Sequence, residues 1–288
     1  MKFQSFGKSL FIGFIVMLSI CWGQSNYSKI PFATYLMLPV SAEDEASAGV
    51  KPFFWNNPAA TSDENNFVLG GYRNRFGVFN DEYIAGELSS GKWSAFSQLG
   101  ITSVSGIEGR RFATSEPDYV FSANRANLLL GGNFKWKYFA IGLFWRHIYE
   151  NLELRQFDAN TFSGGLVFSY KNLMAGVSAT DYGSNRPYFD YEYSPPTMYR
   201  AQIWYSYKFL SAGAGFFKPD MEKYYGAFAV EASPINWLNL RCSYTLFHDS
   251  RSFAFGTGFE WNKIGLNYAL VLMGELGDVH SISLGYEF

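Results

Sequence analysis

Apolar side chains recur at every second position through most of this chain, and that period restricts the fold more than any other feature. At the carboxyl end Ile282, Leu284, Tyr286 and Phe288 alternate with Ser281, Ser283, Gly285 and Glu287. Ile264, Leu266, Tyr268, Leu270 and Leu272 share one face of the preceding stretch. Phe253, Phe255, Phe259 and Trp261 do the same one stretch earlier, opposite Ala254, Gly256, Gly258 and Glu260. The pattern continues upstream through Leu238 to Leu246, Tyr199 to Tyr207, Phe139 to Trp145 and Leu128 to Trp136. A period of two belongs to extended strands whose two faces meet different surroundings.

The character of the two faces selects among β folds. A soluble sandwich buries one face against a second sheet and puts charge on the other. Here only 17% of residues are charged while 20% are aromatic, and the second face is small and polar with isolated charges. That pattern fits an all-β transmembrane antiparallel barrel, in which apolar residues meet lipid and the alternate ones meet the lumen. Eleven strands are expected from residue 127 onward and three more near 67–76, 81–89 and 92–102, giving about 14, an even number as bacterial barrels have.

Two kinds of connection separate the strands. Tight ones are expected at Trp136-Lys137, Tyr170-Lys171-Asn172, Lys208-Phe209, Ser233-Pro234-Ile235 and Trp261-Asn262-Lys263. Longer polar connections are expected from His147 to Thr161 and from Asp181 to Pro196, and a loop with a possible short hairpin from Ser103 to Ala126. Short turns on the periplasmic side and longer loops outside are the habit of such barrels. Trp136, Tyr170, Tyr207, Trp237, Trp261 and Phe288 fall at the short-turn edge, as an interfacial aromatic girdle would.

The amino terminus reads as an export signal. Lys2 and Lys8 precede an apolar stretch from Leu10 to Trp22, followed by Gly23-Gln24. This stretch is short for a spanning helix and has signal-peptide proportions. The expected organisation is a signal peptide over 1–23, an N-terminal lead-in over 24–66 and a barrel over 67–288. Cys21 as a lipoprotein cysteine is the alternative, but bulky Ile20 stands where a small residue is wanted. After cleavage Cys242 would be alone, leaving no intramolecular disulfide. The net charge of -2 argues against a nucleic-acid partner.

Within the lead-in lie Tyr35-Leu36-Met37-Leu38-Pro39-Val40, a small-residue run from Ser41 to Gly49, and Phe53-Phe54-Trp55-Asn56-Asn57-Pro58-Ala59-Ala60-Thr61. This arrangement resembles the start of the PorV/PorQ-like outer-membrane proteins, with Asn57, Pro58 and Ala59 matching that family's Asn-Pro-Ala box. The closing stretch Gly277 to Leu284 is similar to the family's last strand. The box is shared with the related FadL-type long-chain fatty-acid transporters. Glu43, Asp44 and Glu45 inside the small-residue run depart from the pattern. The resemblance implies a 14-stranded FadL-like barrel with the N-terminal segment in its lumen. It further implies an accessory role in type IX protein secretion and cell-surface attachment, in the outer membrane of a Bacteroidetes-like bacterium. Independently, Pro39, Pro52 and Pro58 disfavour central strands in this segment, and small residues suit a narrow lumen. A disordered periplasmic lead-in is the alternative.

The residues give little support to catalysis. His147, His248 and His280 show no metal-binding spacing, so no metal or other cofactor and no enzymatic activity is expected. A Ser–His–acid hydrolase stays a remote option. Lys135, Arg146, Arg200, Arg241, Glu231, Glu260 and Glu287 take the inward register. Both signs are present, so they read either as ion pairs holding a plug or as a polar conduit. Met174, Phe144 and Trp204 are the bulky apolar residues expected to face inward, a thin basis for a lipid site. Leu284, Tyr286 and Phe288 resemble the terminal signal read by the barrel assembly machinery. Tyr188, Phe189, Tyr191 and Tyr193 crowd one loop as a candidate partner surface. The expected partners are outer-membrane lipid, the assembly machinery, and other secretion-system proteins or secreted cargo. The competing function is transport of hydrophobic small molecules in the FadL manner.

Overall fold

The computed structural model describes residues 29–31, 34–60, 66–109, 116–152, 155–183, 186–188, 191–220 and 222–288. The stretch over 1–23, expected as an export signal, lies outside them. Fourteen of the strands close a barrel. They are β2 (Phe67–Arg75), β3 (Phe79–Ser90), β4 (Trp93–Gly109), β5 (Tyr119–Trp136), β6 (Phe139–Leu152), β7 (Arg155–Tyr170) and β8 (Leu173–Gly183), then β11 (Met198–Tyr207), β12 (Leu210–Pro219), β13 (Tyr225–Ile235), β14 (Leu238–Leu246), β15 (Phe253–Trp261), β16 (Ile264–Leu272) and β17 (Asp278–Glu287). The alternation foresaw three strands before β5 and eleven from it onward, and these are present.

Each barrel strand pairs antiparallel with its neighbours, and β17 closes on β2 from Glu287↔Phe67 to Val279↔Arg75. Closure leaves the barrel sheet no free edge, which a hydrocarbon environment demands because no water is there to satisfy open amides. Alternation then sorts the side chains. On β6, Ala140, Phe144, Arg146 and Ile148 are buried toward the lumen, whereas Leu143 between them is 65% exposed. Leu284, Phe228 and Phe162 likewise face outward and exposed. An apolar band around a closed barrel is a lipid-facing surface. The protein is a multi-pass outer-membrane β-barrel.

At one end the hairpins close in two residues: 91–92, 137–138, 171–172, 208–209, 236–237 and 262–263. The start of β2 and the end of β17 lie at this same end, which is periplasmic by the short-turn rule. Lys137, Lys171, Lys208 and Asn262 adopt φ of 53° to 55° there, the left-handed region a two-residue reversal requires. One expected turn is displaced. β13 continues through Ser233-Pro234-Ile235, and the reversal comes at Asn236-Trp237. Pro234 has no amide to give the ladder, and the pairing with β14 slips in a bulge between Ala232 and Ile235.

The opposite end is uneven. β4, β5 and β7 run 17, 18 and 16 residues, against nine each for β14, β15 and β16. About ten residues cross a membrane, so the β4–β7 wall stands proud on the extracellular side. Much of Ser103–Ala126, expected as a loop with a possible short hairpin, and of His147–Thr161, expected as a loop, is therefore paired strand: Val104 pairs with Ala123 and Leu152 with Arg155. Beyond the lipid the outward positions need not be apolar, so the period-two hydropathy signal fades while the backbone pairing goes on. The long loop expected over Asp181–Pro196 carries β9 (Arg186–Tyr188) and β10 (Tyr191–Ser194), which join β1 (Lys29–Pro31) in a small sheet ordered β1-β10-β9. Tyr188, Tyr191 and Tyr193 are on these strands, and Phe189 lies outside the described residues.

Candidate functional site

The lumen is lined by side chains that meet the segment over residues 34–60. The segment runs from the extracellular end to the periplasmic end. Lys29–Pro31 pair in parallel with Glu192–Ser194 of the outer loop. Leu36 and Leu38 pack on Ile148 and Ala159, high on β6 and β7. Ala59 and Ala60 pack on Ala140, Val167 and Met174, close to the periplasmic turns.

Midway is one short helix, α1 (Ala42–Ala46), whose Ser41 cap accepts the Asp44 amide at 3.1 Å. Small residues set how closely it can approach the wall. Ala42 and Ala46 pack against Ala269, and a Cβ at Gly256 would collide with the Ala46 methyl. The three acids that depart from the family pattern lie consecutively on this helix. Successive residues of a helix point about 100° apart, so each reaches a different partner. Glu45 accepts Arg73 Nη1 at 2.8 Å and pairs with Arg251 at 3.0 Å. Glu43 pairs with Lys51 at 2.6 Å and with Arg241 at 3.4 Å. Asp44 turns back on its own segment, accepting Trp55 Nε1 at 2.8 Å, the Val40 amide at 3.0 Å and Asn56 Nδ2 at 3.2 Å. Arg73 also donates to Asp81 at 2.8 Å and to the Pro39 carbonyl, joining wall to segment twice.

The Asn-Pro-Ala box is seated by shape. Asn57 and Ala59 are fully buried. Asn57 Nδ2 donates to the Leu166 and Val177 carbonyls at 3.4 Å, and its Oδ1 caps the Ala59 amide at 3.1 Å. Beneath it three adjacent strands present glycine. A Cβ at Gly142 would overlap the Pro58 carbonyl, at Gly165 the Asn57 carboxamide oxygen, and at Gly176 would come to 2.7 Å from Asn57 Nδ2. Asn133 and Ser178 complete the seat through bonds to the Pro58 and Asn56 carbonyls at 3.3 and 2.8 Å. Above it Phe54 stacks on Phe96 at 4.7 Å and meets Trp55 edge-on at 4.8 Å.

The inward charged residues named from sequence fall into separate groups. Arg241 joins Glu231 at 2.6 Å in the Glu43 cluster. Arg146 instead binds Asp181 at 2.6 Å, and Arg200 donates to Thr180 at 2.7 Å, both bracing the wall around β8. Glu260 accepts Asn239 at 2.7 Å at the periplasmic rim. Lys135 is half-buried and Glu287 exposed, both near that rim. Sequence reasoning missed Arg73, Asp81, Arg251 and Lys51. It also held Met174, Phe144 and Trp204 to be the only bulky inward apolar residues, and the structure adds Phe96, Leu129, Ile148 and Phe217. The alternation puts Leu128 and Leu130 outward with Phe134 and Trp136, and Leu129 between them turns inward although it is as apolar as its neighbours. These side chains pack largely against the segment and one another: Phe144 is clustered with Phe54 and Trp55, and Trp204 with Val50.

Two cavities of about 410 Å³ remain, one toward each end. The outer one is lined by Leu36, Met37, Arg146, Arg200, Phe217 and Arg251, the inner one by Glu43, Lys51, Phe53, Phe54 and Glu260 among others. The three histidines do not converge. His147 bonds Asn160 at 3.1 Å, His280 bonds Tyr268 at 2.8 Å, and His248 accepts the Ser250 and Arg251 amides within its own loop. Burial, reinforced by the neighbouring Arg251, holds His248 below its ordinary pKa, as its acceptor role requires.

At the carboxyl end Leu284 and Tyr286 face outward, Phe288 stacks on Tyr286 at 6.3 Å, and the Phe288 amide donates to the Asn66 carbonyl. No protein-family model matches the chain, and no curated protein matches it. Among solved structures, a mutant of the Rh. blastica porin aligns with 78% of this chain and 99% of its own, at 7% identity and a TM-score of 0.43. CdiB from Acinetobacter baumannii aligns with 80% of this chain and 61% of its own, at 9% identity and a TM-score of 0.41.

Proposed function

We propose that the segment over residues 34–60 closes the barrel as a resident plug. On this reading the protein is a non-enzymatic accessory component of type IX protein secretion and cell-surface attachment, as its resemblance to the PorV/PorQ-like proteins implies. It engages secretion-system proteins or secreted cargo through its extracellular loops, including the one that carries Tyr188, Tyr191 and Tyr193. The observation that supports this best is the tie between plug and wall: ion pairs at Glu43 and Glu45 and a glycine seat for Asn57-Pro58. A lumen given over to such contacts serves a docking platform better than a conduit. The uneven outer rim adds to this, because β4 to β7 extend paired strand beyond the lipid, toward a partner above the membrane.

A second reading, transport of hydrophobic small molecules in the FadL manner, draws on the outer cavity. Leu36, Met37, Leu38, Val40, Met198 and Phe217 give it apolar walls beside Arg200. Native mass spectrometry of the protein gently extracted from its own outer membrane separates the two. A defined complex with other envelope proteins and no retained small ligand is the expected result. A lone barrel carrying a stoichiometric lipid or fatty acid favours transport instead.

A further inference from the structure

Five of the six two-residue turns at the periplasmic end carry a lysine: Lys92, Lys137, Lys171, Lys208 and Lys263. All five are exposed. Only Asn236-Trp237 lacks one, and no aspartate or glutamate stands in any of the six turns. Among the described residues the nearest acids, Glu87, Glu260 and Glu287, take the inward register of their strands. Among the described residues none of the five ammonium groups lies in an ion pair. Among the described residues no arginine lies at this end of the barrel.

The lysines are placed relative to lipid by their neighbours. Lys137 lies over the Trp136 ring at 5.5 Å, Lys171 over Tyr170 at 5.4 Å and Lys208 over Tyr207 at 5.3 Å. Those rings face outward at the membrane edge, where amphipathic aromatics settle at headgroup depth. The next residue therefore puts its ammonium just beyond the hydrocarbon boundary, with its methylene stem along the ring. A compact, mobile point charge at that depth suits a phosphate oxygen. We infer that this lysine rim binds the phosphate groups of anionic phospholipids in the periplasmic leaflet, fixing the depth and tilt of the barrel.

The test uses the full chain in nanodiscs of equal phosphatidylglycerol and phosphatidylethanolamine, with the lipids that stay on the released protein identified by native mass spectrometry. The wild type is expected to retain phosphatidylglycerol over phosphatidylethanolamine by roughly fivefold or more. Changing all five lysines to Gln should bring the ratio to that of the bulk bilayer, whereas changing all five to Arg should keep it. If the five-site Gln variant gives no folded barrel, the Lys137→Gln/Lys208→Gln pair carries the test, with a partial fall expected. No preference in the wild type, or an undiminished one in the folded Gln variants, overturns the inference. So does an acidic protein that binds the wild-type nanodiscs from added periplasmic extract and is lost from the Gln variant with the lipid ratio unchanged, which would make a protein the occupant of the rim.

Discussion

The two halves of the luminal segment are held by different physics. Around α1 the bonds are electrostatic: Glu45, Arg73, Asp81 and Arg251 form a cluster whose side chains are at most 9% exposed. Around Asn57 the hold is steric, a polar loop pressed on glycines from three adjacent strands. Charges removed from water demand partners but tolerate small shifts, because Coulomb attraction falls slowly with distance. A glycine seat tolerates almost no added atom, yet leaves no charge stranded when it fails. The outer half should therefore break by losing a partner, and the inner half by gaining a side chain.

The largest effect is expected from Arg73→Met. It removes the guanidinium that joins Glu45 to Asp81, leaving Glu45 with Arg251 alone and Asp81 with Arg75, and loss of a partner from a cluster this dry costs up to about 3–5 kcal/mol. Urea unfolding of the refolded barrel would show it as a lowered midpoint. Gly142→Val comes next: its side chain has no room under Pro58, and overpacking of this kind costs about 1–3 kcal/mol. Limited proteolysis should then cut the segment near Asn57 in the variant and not in the wild type. Lys51→Met should cost less than about 1 kcal/mol, since Lys51 and Glu43 remain 29% and 21% exposed and Arg241 stays beside Glu43. A loss as large as that of Arg73→Met would erase the distinction between a dry cluster and a wet one.

The smallest effect concerns pH. With its folded pKa depressed, His248 contributes stability that is full above its unfolded value near 6.5 and is lost as pH falls through the lowered folded value. Hydrogen exchange at the Ser250 and Arg251 amides, corrected for intrinsic rate, should accelerate between pH 7.5 and 5. The same change should leave the Asn57 region unaffected.

How much of this was legible follows the same physical divide. Where strands cross lipid, each outward residue must be apolar, so the barrel and its strand number could be read from alternation such as Ile264 to Leu272. Where strands leave the lipid, as at Val104 and Ala123, pairing persists without that constraint and the sequence looked like loop. The luminal contacts were partly visible. Glu43, Asp44 and Glu45 stood out as charges in a run of small residues, and each has its own direction and partner. Arg73 gave no such signal, because alternation around Gly70-Gly71-Tyr72 is weak. The glycine seat was beyond reach, since Gly142, Gly165 and Gly176 lie far apart in sequence and only closure brings them under Asn57.

The central claim is that the segment over residues 34–60 closes the lumen at rest. Planar-bilayer conductance of the purified full chain tests it most directly. The account predicts no steady ion current through the wild type. Stable conductance steps of the size expected for an open 14-stranded pore would contradict it.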